Sequence, residues 1–348
     1  MMAHTDGQGI GTGVPATAAT PLVSIVIVCM DNMENLRRCL TSLKPHTSVS
    51  FETLVVAYLF TPEHLAAARE EFPWATFIES NEIRGFSENN NLALRKARGR
   101  YCLVLNDDTW ITMPAVDRLA ATLGRLPESA AIVSPVLVNP EGLVLVCGKP
   151  PRDWLDVTME STHLPWGRLK RRRERYCGKT GVFRTYNITG AAFMAKTDIF
   201  RSVGWFDEYY FFAPEDIALS TLLNEKGYGC YVDADTVIVH NEGMTSPSTS
   251  PVQTAVRPAG CKGGIYLYSH GKRNAFLYYF LAAVYSIHAL GQCIYHLAKS
   301  RAAPRGSLDR TRYGILAAGD WHVVLNMFNS KTPKEIFIRY YRTAKEKT

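Results

Sequence analysis

Val23-Ser24-Ile25-Val26-Ile27-Val28 is an almost unbroken apolar, mostly β-branched run. A strand of a parallel sheet buried on both faces asks for such a run, whereas a strand with one wet face would alternate apolar and polar residues. An amphipathic stretch from Met33 to Leu43 follows it, and the alternation continues. The pattern predicts strands over Leu54 to Ala57 and Ala75 to Ile78. Between them it predicts a helix from Pro62 to Phe72, with Thr61 as N-cap and Pro62 in the first turn. A helix from Phe86 to Ala97 and a fourth strand, Tyr101-Cys102-Leu103-Val104-Leu105, complete the series. Strands and helices in this order imply an α/β fold, a doubly wound and mainly parallel sheet, whose ligands bind beyond the carboxyl ends of its strands.

The 348 residues, 47% hydrophobic and 20% charged, suffice for one large domain with an appendage and exclude a disordered chain. A net charge of +7 suits an anionic partner such as a nucleotide-sugar or a phospholipid surface but does not choose among them. The eight cysteines (Cys29, Cys39, Cys102, Cys147, Cys177, Cys230, Cys261 and Cys293) contain no CxxC pair. They read as reduced, buried thiols rather than a disulfide framework or a zinc site. Residues 1–20 are rich in Gly, Thr and Ala without the features of a secretory signal, so a disordered tail and a cytoplasmic protein are expected.

Asn106-Asp107-Asp108 lies at the end of the fourth strand. Adjacent acids there are costly to bring together unless a cation neutralises them, and oxygen ligands suit Mg²⁺ or Mn²⁺. A solvated loop with a helix cap at Asp108 or Thr109 would look the same. Further along, Glu215-Asp216 opens a helix, where the dipole favours ionised acids and one could act as general base; plain N-terminal helix chemistry is the alternative. His240 closes a strand from Thr236 to Val239, in a position to complete a metal site or to serve only structure.

In this order the segments resemble glycosyltransferase family 2, the inverting enzymes with a GT-A fold, and especially its bacterial rhamnosyltransferase-like branch. The resemblance covers residues 21 to 245. The first strand through Val28, with Asp31 and Asn32 in the turn after it, looks like the family's donor-binding turn. Arg84-Gly85-Phe86 with the Asn-rich start around Asn90 looks like the segment beside the nucleotide. Asn106-Asp107-Asp108 looks like the DxD equivalent, with Asp108 the implied direct metal ligand, and Val237-Ile238-Val239-His240 like the strand whose histidine joins it. Gly190 and Ala191, with Trp205, Asp207 and Glu208, resemble the acceptor-side signature, and Glu215-Asp216 the pair that supplies the base, with Asp216 preferred. The family's usual Asp at the end of the second strand is missing from Val55-Val56-Ala57-Tyr58. Tyr58 stacking on the base, or Asp31 replacing that carboxylate, would fill the gap.

The resemblance implies transfer of a sugar, with rhamnose from dTDP-rhamnose the first choice, from a nucleotide-diphosphate donor onto a lipid-linked or polysaccharide glycan. A divalent metal, Mn²⁺ or Mg²⁺, is implied with it. The expected organisation is a tail (1–20), a nucleotide-sugar half (21–110), an acceptor and catalytic half (111–243), a mobile loop dense in Ser, Pro, Gly and Thr (244–264), and a helical extension (265–348).

Ala275 to Ala298 carries no charge, yet His288, Gln292 and His296 recur along one helical face, with Lys272 and Arg273 before the stretch and Lys299 and Arg301 after it. That fits a helix in the plane of an anionic membrane, a core helix or a homodimer contact. The basic run Arg168 to Arg175 reads as a solvated loop or a contact for anionic headgroups. No aromatic platform is interleaved in it beyond Tyr176, which argues against nucleic acid. A sugar-phosphate nucleotidyltransferase would want glycine in the loop after the first strand, and Met30 to Leu36 has none. A catalytically silent scaffold on the same fold is the remaining alternative.

Overall fold

The computed structural model describes residues 20–146, 148–161, 176, 178–241 and 250–345. Nearly all of the expected tail, Cys147, Cys177, the basic run Arg168 to Arg175, and residues 242–249 lie outside the described residues.

The strands are β1 (Val23–Cys29), β2 (Phe51–Tyr58), β3 (Ala75–Ser80), β4 (Tyr101–Asn106), β5 (Thr109–Trp110), β6 (Ala130–Val138), β7 (Val144–Val146), β8 (Val182–Thr185), β9 (Ala192–Lys196) and β10 (Gly229–His240). They form one sheet in the order β3-β2-β1-β4-β9-β6-β10-β5, with β7 on β6 and β8 on β10. The first four in this order run parallel. β9 then enters antiparallel to both β4 and β6. Its insertion joins the two halves of the chain into one sheet, so the residues at the ends of β4 and β10 share one edge of it.

β1 shows why its run is apolar throughout. Val23, Ile25 and Ile27 pack with Leu36 and Leu40 of α1 (Met33–Leu43), while Val26 packs on the other face with Leu94, Phe193 and Phe206. Burying each such side chain contributes about 2 kcal/mol. Helices α2 (Pro62–Glu71), α3 (Phe86–Leu94), α4 (Ala115–Arg125), α5 (Trp154–Ser161), α6 (Thr197–Ser202) and α7 (Glu215–Glu225) complete the α/β part.

Four helices follow: α8 (Gln253–Tyr268), α9 (Ala275–Ala302), α10 (Leu308–Asn326) and α11 (Pro333–Lys345). The loop expected over 244–264 is thus corrected, because its second half is the beginning of α8. The small residues there serve close packing: a Cβ at Gly263 would stand 2.9 Å from the Ala213 carbonyl oxygen. Lys262 of α8 is buried, and its ammonium donates to the carbonyls of Asn326, Met327 and Asn329 at the end of α10. A cation there offsets the helix's C-terminal partial charge.

The polar face of α9 is turned inward. His296 is bonded to buried Asp320 of α10 at 2.7 Å, and Arg257 of α8 reaches the other Asp320 oxygen at 2.6 Å. His288 and Gln292 line a cavity of about 440 Å³ against α5 and α8.

Candidate active site

β5 folds back onto the end of β10, so that Thr109 pairs with His240 and the Asn241 N–H donates to the Asp108 carbonyl. This pairing brings His240 Nε2 to 3.2 Å from Asp108 Oδ1, with both side chains buried. Asp107 is buried as well, and its Oδ2 has no hydrogen-bond partner. Burial pushes its carboxyl up to about 7; a bond from the Cys29 thiol opposes the shift, and the charge of Asp108 adds to it. An acid held in this way gains when positive charge arrives.

Among the described residues no three His, Cys, Asp or Glu side chains form a metal cluster. Asp108 and His240 are two adjacent donors that could hold a cation taking its remaining oxygens from a diphosphate and water, and the unpartnered, buried Asp107 oxygen stands next in the chain to them.

A second set of groups reaches the same edge through β9. The Asn106 N–H donates to the Ala191 carbonyl at 2.9 Å, and the next residue, Gly190, donates its N–H to Asp216 Oδ2 at 3.3 Å. Asp216 Oδ2 also accepts from Lys149 Nζ at 2.8 Å, while Oδ1 accepts from the Ile217 N–H. Asp216 is thus oriented by three donors at the start of α7, with its side chain 14% exposed. Glu215 stands beside it with Oε2 sealed from solvent and unpartnered. Burial first, then the Asp216 charge, raises the Glu215 carboxyl to about 7. Lys149 was missed in the sequence, where a lone lysine between Gly148 and Pro150 gives no signal; only the fold carries it to Asp216.

The residues expected at the donor are placed as follows. Val28 lies near the end of β1, level with Val56 and Asn106. Asn32 caps α1 by accepting from the Asn35 N–H. Asp31 accepts from the Thr61 N–H and pairs with His64 at 2.8 Å. Tyr58 is buried, its hydroxyl accepting from the Arg84 N–H, so its ring is part of the wall. The Arg84 guanidinium bonds Ser80 and Glu82. Gly85 is pressed against the chain before α7, where a Cβ would lie 2.2 Å from the Phe211 carbonyl oxygen, and Phe86 donates its N–H to that oxygen. Asn90 bonds the Phe86 carbonyl within α3.

On the other side of α7, Trp205, Asp207 and Tyr210 line a cavity of about 500 Å³ with Trp154, Tyr266 and Arg273. Aromatic faces with a few charges at the rim suit the apolar faces and hydroxyls of a sugar. Glu208 does not join them. It is tied to Asn91 and to Arg95, bracing α3.

Residues 24–194 match the family model for glycosyl transferase family 2. The chain is 28% identical over 231 residues to the O-antigen biosynthesis protein RfbC of Myxococcus xanthus, a match that takes in 65% of this chain and 18% of that protein's length. Among solved structures, GalNAc-T7 with UDP, GalNAc and Mn²⁺ superposes at a TM-score of 0.54 with 16% identity, over 86% of this chain and 55% of that one. The mannosyltransferase PcManGT of Pyrobaculum calidifontis, with GDP-Man and Mn²⁺, gives 0.49 with 19% identity over 90% and 89%.

Proposed function

From a chain that belongs to glycosyl transferase family 2 through residues 24–194, on a GT-A fold, we infer a metal-dependent glycosyltransferase that inverts configuration at the sugar it transfers. The observation that carries this reading is the joining of two acid sites across β9. Asp108 with His240 stands on one side and Asp216 with Lys149 on the other, linked by the Asn106–Ala191 and Gly190–Asp216 hydrogen bonds.

A nucleotide-diphosphate sugar lies along the carboxyl ends of β1 and β4, against Val28 and the Arg84-Gly85-Phe86 turn. Asp108 and His240 would hold a divalent cation, Mn²⁺ or Mg²⁺, which when bound would offset the charge of the departing diphosphate. Asp216 accepts the proton of the acceptor hydroxyl as that oxygen attacks the anomeric carbon from the face opposite the diphosphate. Lys149 and the Gly190 N–H fix the carboxylate for that task. The cavity bounded by Trp205 and Asp207 takes the acceptor glycan. The resemblance favours rhamnose from dTDP-rhamnose, and the RfbC likeness favours a cell-surface polysaccharide or its lipid-linked precursor as acceptor.

A thermal-shift screen of nucleotide-sugars with and without Mn²⁺ tests this reading. One donor is expected to stabilise the chain only when metal is present, and Asp108→Asn or His240→Ala is expected to remove that dependence. No shift from any donor would return the chain to a silent scaffold on the same fold.

A further inference from the structure

α9 is built the reverse of an ordinary surface helix. Its histidines and Gln292 face the protein, and its outer face is apolar from end to end. Phe276 is 82% exposed, Ile287 73% and Ile294 62%, with Phe280, Leu290 and Leu297 along the same stripe. Trp321 and Leu325 in the last turns of α10, and Phe328 just past its end, are exposed as well. Because α9 and α10 follow one another and pack side by side, these residues make one slab rather than scattered singletons. An apolar slab of that extent on a protein surface marks an interaction site.

The charges around the slab identify its occupant. Residues 272–328 hold seven Lys or Arg and two Asp. One of the two acids, Asp320, is buried and paired with Arg257 and His296. The cations sit at the two ends of α9, with Lys272 and Arg273 before it, Lys299 and Arg301 in its last turn and Arg305 after it, all exposed. A 28-residue helix is roughly 42 Å long. Ala275–Ala302 is long and apolar enough to cross a membrane by length and composition. Lying flat, however, it sets its apolar stripe against acyl chains with both basic ends at the headgroups of one leaflet, and it keeps the His296 face packed on Asp320 of α10, which spanning would not do.

We propose that the outer faces of α9 and α10 dock in the plane of a bilayer bearing anionic headgroups. Trp154 links this surface to the 500 Å³ cavity proposed for the acceptor, since its ring meets Phe280 edge-on at 6.1 Å and also lines that cavity, as does Arg273. Docking sets the mouth of that cavity at the headgroup level, where the glycan of a lipid-linked acceptor is presented.

The test is flotation of the full chain with phosphatidylcholine vesicles with and without phosphatidylglycerol, at low and high salt. It needs no substrate, so it can fail while the proposed activity stands. Binding is expected only with phosphatidylglycerol and to weaken with salt. Ile287→Glu with Ile294→Glu is expected to cut the bound fraction at least about tenfold with an unchanged melting curve, because neither side chain is packed. Replacing Lys299, Arg301 and Arg305 by Gln is expected to reduce binding by roughly fivefold per charge. Flotation with neither vesicle, or equal binding to both, overturns the proposal. So does a dimer in light scattering that the double Glu variant splits, which would make this slab a contact between copies.

Discussion

Glu215→Gln tests the electrostatics of the candidate active site without knowledge of any substrate. The Glu215 carboxyl has its ordinary value of 4.5 in the unfolded chain and about 7 in the folded one. The folded state therefore holds the proton to higher pH. Stability from this group is fully present below pH 4.5, falls as pH rises, and is lost by about pH 7, where the folded state ionises too. Between two and three pH units, at 1.36 kcal/mol each, amount to about 3 kcal/mol. The Gln amide in the same sealed position still lacks a partner, which costs about 1–2 kcal/mol. The variant should accordingly be more stable than wild type by about 1–2 kcal/mol at pH 7.5, or roughly 1–3 °C in melting temperature. It should also lose the decline between pH 4.5 and 7. Melting curves at half-unit pH intervals read both effects. A wild-type slope that persists in Glu215→Gln would refute the burial argument.

Lys149→Met should lower kcat by roughly 10- to 100-fold with a smaller effect on donor KM, because the ammonium holds the Asp216 carboxylate in place. Initial rates with the donor found by thermal shift measure this. Gly85→Ala must push α3 away from the Phe211 backbone and strain the Phe86–Phe211 hydrogen bond, at a cost of about 2–4 kcal/mol, read as a lower melting temperature together with weaker nucleotide stabilisation. Asp320→Ala leaves Arg257 and His296 facing an empty site, and should cost about 3 kcal/mol by denaturant titration, with proteolysis mapping the loosening to α8–α10.

The first half of the fold was legible because β1, β2 and β4 are buried on both faces and the helices after β1 and β2 carry their own start signals. Thr61 and Asn32 both cap where a capping residue was available to be read. α8 was not legible, since Pro258, Gly260, Gly263 and Gly264 look like a loop. Gly260 and Gly263 face backbone at residues 212 and 213, and Gly264 faces the Tyr285 hydroxyl, a tertiary reason that overrides propensity. The active site divides in the same way. Asp108 and His240 come together because one follows the end of β4 and the other ends β10, and those strand ends meet at one edge. Lys149 was not found, and Asp31, Asn32 and Tyr58, expected near the donor, turn out to hold the chain's own backbone and side chains. Local spacing shows which residues lie at an edge but not which of them are already engaged there.

The antiparallel strand between β4 and β10's neighbour β6 has a consequence for how such a molecule can change its preferences. The two ends proposed for the leaving group and for the proton are separated by two consecutive residues of one strand's entry, Gly190 and Ala191, whose main-chain groups bond Asp216 and Asn106 respectively. Substitution of side chains cannot lengthen that spacer. Variation in which sugar is moved, or onto what, is therefore free to accumulate in the walls around Trp205 and Phe86, while the gap across which the sugar crosses stays the same length.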